Sequence, residues 1–147
     1  MYNPYSLFGK TILVTGASSG IGQATAIECS RMGATLVLTG RNEERLLETY
    51  NSLETEGQVH QIFTADLSSA DGISALVTKL PQLDGCVNNA GIGKTLPIPF
   101  ISWDELDRIY CLNSFAPMLL TKELVRKKKL SNPCLLYTSP SPRDISG

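Results

Sequence analysis

Thr15-Gly16-Ala17-Ser18-Ser19-Gly20-Ile21-Gly22 stands between the apolar run Thr11-Ile12-Leu13-Val14 and a segment of helical spacing that begins near Ile21. An apolar β-branched run, then small and glycine residues, then a helical period reads as strand, tight turn and helix. Such a turn gathers backbone N–H groups and the positive end of a helix, which makes an anion site out of main chain. Gly16 suits a sharp turn, Gly20 a close pass by a phosphate, and Gly22 a helix lying close on its strand. Ser18 and Ser19 add hydroxyl donors at the same mouth. Any helix start is rich in Ser and Gly, and a glycine pattern alone is a weak signal. Its place between a strand and a helix is what points to phosphate.

With 147 residues the chain has the length of one domain, able to bury roughly 70% of its unfolded surface. A net charge of −1 gives no field favouring nucleic acid or an acidic membrane. The expected partner is a small molecule, with no nucleic acid and no membrane. Cys29, Cys86, Cys111 and Cys134 are far apart, and His60 is the only histidine. No metal site or disulfide framework is expected from that spacing, and reduced, buried thiols of a cytoplasmic protein fit better. MYNPYSLFGK lacks a basic region followed by an apolar one, and no run approaches the ~20 apolar residues of a membrane span. The expectation is a soluble, cytoplasmic protein.

Along the chain, Ile21, Ala24, Ile27 and Met32 recur at roughly helical spacing, and Gly33 is a natural C-terminal stop. Ala34 to Thr39 is a largely apolar run of the kind a strand buried on both faces requires. Asn42 is a fair N-cap for the next helix, whose Leu46, Leu47, Tyr50 and Leu53 form one face and which Gly57 ends. A third strand is expected from about Val59 to Thr64. A helix with Ile73, Leu76, Val77 and Leu80 follows and stops at Pro81, and a fourth strand runs from Leu83 into Asn88. Ser102 and Glu105 form a capping box for a long helix through Trp103, Leu106, Ile109, Ala116 and Leu120 towards Lys129. Alternating strands and helices around one core mean a doubly wound parallel α/β sheet.

Several residues fall at the carboxyl ends of these strands, where ligands bind in such sheets. After the second strand come Gly40 and Arg41. In a dinucleotide fold a carboxylate there binds a free ribose 2′-hydroxyl and a guanidinium binds a 2′-phosphate, so Arg41 favours NADP(H) over NAD(H). The plainer alternative is a surface pair between Arg41 and Glu44. Asp66 either accepts a hydrogen bond from an adenine amino group or caps the turn that follows it. Asn88, Asn89, Ala90 and Gly91 suit close approach to a sugar, though Asn and Gly are also ordinary loop residues. Asn113 has no propensity advantage inside a helix, and Pro117, four residues on, cannot donate to its carbonyl. That leaves either a free acceptor for water or a side chain, or a simple kink.

TGASSGIG, Asp66-Leu67, NNAG at Asn88 to Gly91 and Asn113 in the long helix occur in the order and spacing of the short-chain dehydrogenase/reductase superfamily, which the chain resembles from about Leu7 to Leu130. The resemblance implies a Rossmann fold, NADP(H), hydride transfer between nicotinamide and a carbonyl or alcohol substrate, and a homo-oligomeric full-length form. It assigns Gly16, Ser18, Ile21, Arg41, Asp66, Leu67 and Asn89 to cofactor contacts, with Ser19, Gly20, Gly22, Ala90 and Gly91 beside them. It gives the Asn113 main-chain carbonyl a catalytic part, holding a water of the proton relay. A 3-oxoacyl-thioester reductase is one form such an enzyme takes. A non-catalytic dinucleotide-binding regulatory module is the alternative, and a scaffold using the basic Arg126 to Lys129 cluster a third reading.

The family's acid is a Tyr with a Lys four residues on, the Lys lowering the phenol's pKa, and a Ser about a dozen residues earlier orients the carbonyl. Here Tyr2, Tyr5, Tyr50, Tyr110 and Tyr137 are followed at that spacing by Ser6, Gly9, Glu54, Ser114 and Ser141. Cys134 to Asp144, CLLYTSPSPRD, resembles the translation of a transposon-type sequencing-library adapter. Residues 1–133 are accordingly expected to be the N-terminal part of one Rossmann domain, and 134–147 a non-native tail. Leu135 to Ser139 imitates a fifth strand ending in the family's catalytic Ser, and Ser139 is given no role. The sheet is expected to stop after its fourth strand and the following helix, leaving that strand at or near an open apolar edge and the chain poorly soluble.

Overall fold

A computed structural model describes residues 6–18, 20–89, 104 and 116–138, with 132–138 described by their backbone alone. In chain order the elements are β1 (Thr11–Thr15), α1 (Gly20–Arg31), β2 (Thr35–Gly40), α2 (Glu43–Asn51), β3 (Gln61–Thr64), α3 (Ala70–Lys79), β4 (Leu83–Asn88), α4 (Ala116–Arg126) and β5 (Leu130–Thr138). All strand pairs are parallel, in the order β3-β2-β1-β4-β5. The chain builds outward from β1 to β3, then returns to lay β4 on the other side of β1. In such sheets this reversal, here at the carboxyl ends of β1 and β4, is where ligands bind.

The period of two along each strand sorts side chains onto two helical layers. Ile12 and Val14 of β1 join Leu36 and Leu38 of β2, Ala26 of α1 and Leu46 of α2 on one face. Leu13 and Val37 point the other way, into Ile73, Leu76 and Val77 of α3 and Leu120 and Leu124 of α4. Strands buried on both faces need apolar residues at every position, which is why TILV and TLVL read as continuous runs. Each fully buried Leu or Val stabilises the fold by roughly 2 kcal/mol.

His60 is a satisfied core residue. The Leu36 N–H donates to His60 Nδ1 at 2.9 Å, so the ring proton sits on Nε2, which faces the Glu54 carbonyl at 2.6 Å. At the amino edge, Asp84 accepts from the Thr11 N–H at 2.9 Å and from Ser131 Oγ at 2.8 Å, tying β4 to β1 and β5. These bonds hold the Asp84 carboxyl below the usual carboxylate range, that from Thr11 first.

Four expectations change. In α1 the buried residues are Gly22, Ala26 and Ser30, while Ile21 is 67% exposed and Met32 38%. Close approach at Gly22 sets the helix's rotation, and at 3.6 residues per turn Ile21 then lies about 100° away from the sheet. β3 begins at Gln61, with Val59 exposed outside it. α2 ends at Asn51 with Ser52 as its C-cap, and Gly57 lies in the loop beyond. α4 ends at Arg126 and not at Lys129, because Lys128 takes φ +56° and the Lys129 N–H turns back to the Leu124 carbonyl. Ser102, Trp103, Glu105, Leu106, Ile109 and Asn113 lie outside the described residues.

The sheet also extends beyond its fourth strand: β5 pairs with β4, so β4 is interior and the expected edge there is covered. Leu130 pairs with Leu83 and Leu135 with Gly85, so β5 carries extra residues in a bulge that contains Pro133. A bulge is where a strand tolerates a residue without an N–H.

Candidate functional site

The turn after β1 owes its shape to residues without side chains. Gly16 and Gly20 both have φ +62°, a region that favours glycine. A Cβ at Gly22 would come closer than 3.0 Å to the Gly16 carbonyl and 2.7 Å from Asn89 Nδ2. Gly22 is therefore the point where turn, helix and the end of β4 meet. The neighbouring strand is fixed there as well, since Thr15 Oγ1 accepts from the Asn89 N–H at 2.8 Å.

The other strand ends lie alongside. Arg41 follows β2 and is exposed, and Ser18 Oγ lies 3.5 Å from where a Gly40 Cβ would be. The Ala65 N–H donates to the Gly40 carbonyl at 3.0 Å, so Asp66 leaves the sheet next to Arg41. Among the described residues the ion pairs are Arg31 with Glu28 and Arg126 with Glu123, and Arg41 is in neither. Asp66 Oδ1 takes the Ser68 N–H at 2.9 Å and its hydroxyl, which is the turn-capping arrangement. The sheet thus brings Gly16, Ser18, Gly20, Ile21, Gly22, Arg41, Asp66 and Asn89 to one edge. Backbone N–H groups, a guanidinium and the polar side chains of Ser18, Asp66 and Asn89 there can receive an anion flanked by hydroxyl-bearing and amino-bearing groups.

A model of the short chain dehydrogenase family matches residues 10–132. The chain belongs to that family. It is 44% identical over 135 residues to a 3beta-hydroxysteroid dehydrogenase of Mediterraneibacter gnavus, covering 88% of this chain and 49% of that protein. It is 37% identical over 122 residues to the 3-oxoacyl-(acyl-carrier-protein) reductase FabG of Rickettsia prowazekii, covering 82% and 49%. A metagenomic short-chain oxidoreductase solved in complex with NADP superposes with a TM-score of 0.72 at 34% identity, covering 83% of this chain and 59% of that one. The chain spans about half the length of the curated relatives it matches.

Not every residue that the short-chain dehydrogenase resemblance singles out presents its side chain at this edge. Leu67 is 5% exposed and packs with Ile73 and Val77, so its side chain belongs to the core. Ser19, Ala90, Gly91 and Asn113 lie outside the described residues. Asn88 is buried beside Cys86, whose Sγ lies 3.6 Å from Asn88 Oδ1. Burial pushes the Cys86 thiol up to about 12, and burial with Glu28 raises Cys29, so neither is a ready nucleophile. Among the described residues no group of His, Cys, Asp and Glu could hold a metal, and no helix is long and apolar enough to cross a membrane. Two residues that brace the turn have no role assigned by the sequence: Thr15, which appears there only as the first residue of the glycine stretch, and Thr49, a polar residue on the apolar face of α2 between Leu46 and Tyr50, whose Oγ1 donates to the Ala17 carbonyl at 2.8 Å.

Proposed function

We propose that this chain is the cofactor-binding portion of an NADP(H)-dependent oxidoreductase, which moves a hydride between nicotinamide and a carbonyl or alcohol. The observation that carries the reading is the turn closed on Gly22, where a Cβ would displace the Gly16 carbonyl, set beside Gly40-Arg41. Gly16, Ser18, Gly20, Ile21 and Gly22 would hold the pyrophosphate, with Ser19 alongside. Arg41 would meet the ribose 2′-phosphate, Asp66 and Leu67 the adenine end, and Asn89 with Ala90 and Gly91 the sugar nearer the nicotinamide. Glycine at 40 leaves room beside Ser18 and puts no carboxylate against a phosphate. The bound cofactor supplies the hydride; the Asn113 carbonyl would hold a water for the proton.

The names of a 3beta-hydroxysteroid dehydrogenase and a 3-oxoacyl-(acyl-carrier-protein) reductase among its relatives support a carbonyl or secondary alcohol as the substrate class; that the whole protein is a cytoplasmic homo-oligomer is part of the same proposal. Turnover needs an acid, and no Tyr here has a Lys four residues on. The second reading is a dinucleotide-binding regulatory module, and an intact gene whose next roughly 60 codons lack a Tyr followed four residues on by a Lys would favour it. Residues 134–147 are read as a non-native tail, supported by the family match ending at residue 132. Ordinary synonymous codons at 134 to 144 in the source DNA would overturn that.

The test is a fluorescence titration with NADPH and NADH. NADPH is expected to bind about tenfold tighter, with Arg41→Ala removing that preference, since a charge-assisted contact of this kind is worth roughly 1.5–3 kcal/mol. Equal binding of the two by the unaltered chain overturns the NADP(H) reading, and measurable ketone reduction overturns the expected lack of turnover.

A further inference from the structure

Ala17, in the middle of the glycine turn, is held on both sides. Its N–H donates to the Thr39 carbonyl of β2 at 3.1 Å, and its carbonyl accepts from Thr49 Oγ1 of α2 at 2.8 Å. Thr49 is fully buried, and its hydroxyl oxygen in turn accepts from Gln23 Nε2 of α1 at 3.2 Å. A helical Thr ordinarily donates to the carbonyl four residues back. That carbonyl, of Arg45, is 3.3 Å away, so the nearer acceptor is the turn.

A trans peptide is planar, with its C=O and N–H pointing opposite ways. The Ala17 carbonyl and the Ser18 N–H belong to one such unit, so fixing the carbonyl on α2 aims the Ser18 N–H away from α2. By the same rule the Ala17 N–H, fixed on Thr39, turns the Gly16 carbonyl away from β2, and that carbonyl is the one close to Gly22. Both peptide units around Ala17 have their direction set by neighbouring elements.

We infer that Thr49 is a positioning residue of the nucleotide site: its buried hydroxyl sets the direction of the Ser18 N–H towards a phosphate oxygen, and Gln23 fixes the orientation of that hydroxyl. The inference rests on the dinucleotide reading above. It also gives α2 two tasks, since Arg41 and Asn42 lead into the same helix. A misaimed N–H weakens anion binding even though no group that touches the anion has changed.

The experiment compares NADPH affinity and the Ser18 amide NMR shift on binding for the unaltered chain, Thr49→Val and Thr49→Ser. Thr49→Val is expected to lose about tenfold in affinity, the scale of one buried hydrogen bond, together with the Ser18 shift. Thr49→Ser, which keeps the hydroxyl, is expected to restore both. Unchanged affinity and shift in Thr49→Val overturn the inference and leave the cofactor reading standing. No NADPH binding by the unaltered chain overturns the cofactor reading first and the inference with it. Should Thr49→Val not fold, Gln23→Leu keeps the hydroxyl but frees its rotation. A several-fold loss in that variant supports the role, and unchanged binding overturns it.

Discussion

Gly16-Ala17-Ser18-Ser19-Gly20-Ile21-Gly22 after β1 and Asp66-Leu67-Ser68-Ser69-Ala70-Asp71-Gly72 after β3 align residue for residue. In both, the second residue packs in the core and the last is the third residue of a helix. In both, a Cβ on that last glycine would come closer than 3.0 Å to the carbonyl at the start of the stretch. The difference lies in the side chains. In the second turn Ser69 Oγ caps the Gly72 N–H at 3.0 Å, Asp66 takes the Ser68 N–H, and Asp71 adds an acid to the first helical turn. The first turn has Gly16 where the second has Asp66, and α1 has no acid in its first turn. A close strand-to-helix turn is therefore not in itself an anion site. The stronger candidate is the turn that, with Gly16 and Ile21 in place of Asp66 and Asp71, puts no carboxylate against the helix's positive end.

The glycines test the shared part of this comparison. Gly22→Ala and Gly72→Ala should each cost about 3 kcal/mol, because the obstructing atoms are backbone and cannot step aside cheaply. Urea unfolding checks this, and only Gly22→Ala should also abolish NADPH binding. A Gly22→Ala protein as stable as the unaltered chain would end the equivalence of the two turns. Ser69→Ala tests the difference between them. Loss of this cap should lower stability by about 1 kcal/mol in thermal unfolding and leave NADPH affinity unchanged. A parallel fall in affinity would mean that the second turn also serves the ligand.

The smallest effect sharpens the role of glycine at helix ends. α1 and α4 close with the same pair of reversed backbone bonds, one through Gly33 at φ +101° and the other through Lys128 at φ +56°. Lys128→Gly should therefore stabilise the chain by about 0.5–1 kcal/mol, read as a higher urea midpoint at unchanged slope. No gain would show that the Lys128 side chain offsets its backbone cost.

The strands and helices were legible wherever burial on both faces forces a continuous apolar run, as in β1 and β2, or a one-sided stripe, as in α3. The Asn42 cap was legible too, and Asn42 Oδ1 accepts the Arg45 N–H as its position implies. The face of α1 was not, because its contact surface is made of Gly22, Ala26 and Ser30. Small residues carry little hydrophobic signal, although they permit the closest packing. In the candidate site, Gly16, Arg41, Asp66 and Asn89 could be named from their places after successive strands. Thr49 could not, and Thr15 stood out only as the head of the glycine stretch, since hydroxyls that serve as braces look like any other strand or helix threonine. The bulged β5 was legible only in part: Leu135 to Ser139 has the look of a strand, but Pro133 argues against one before it, and the pairing edge that β4 offers is not written locally.

By itself, then, the sequence determined the alternation of strand and helix, the glycine turn and the residue types at each strand's carboxyl end, because those follow from periodicity and local backbone preference. The tertiary structure decided which face α1 buries, that β4 is an interior strand, and that Ala17 is held by α2 as well as β2. Each of these is a contact between residues distant in sequence, and local preference carries no record of which distant group will arrive. The two serine-bearing turns show the same division: their spacing is written in the chain, but the bonds from Asp66 and Ser69 that close the second depend on where those side chains go.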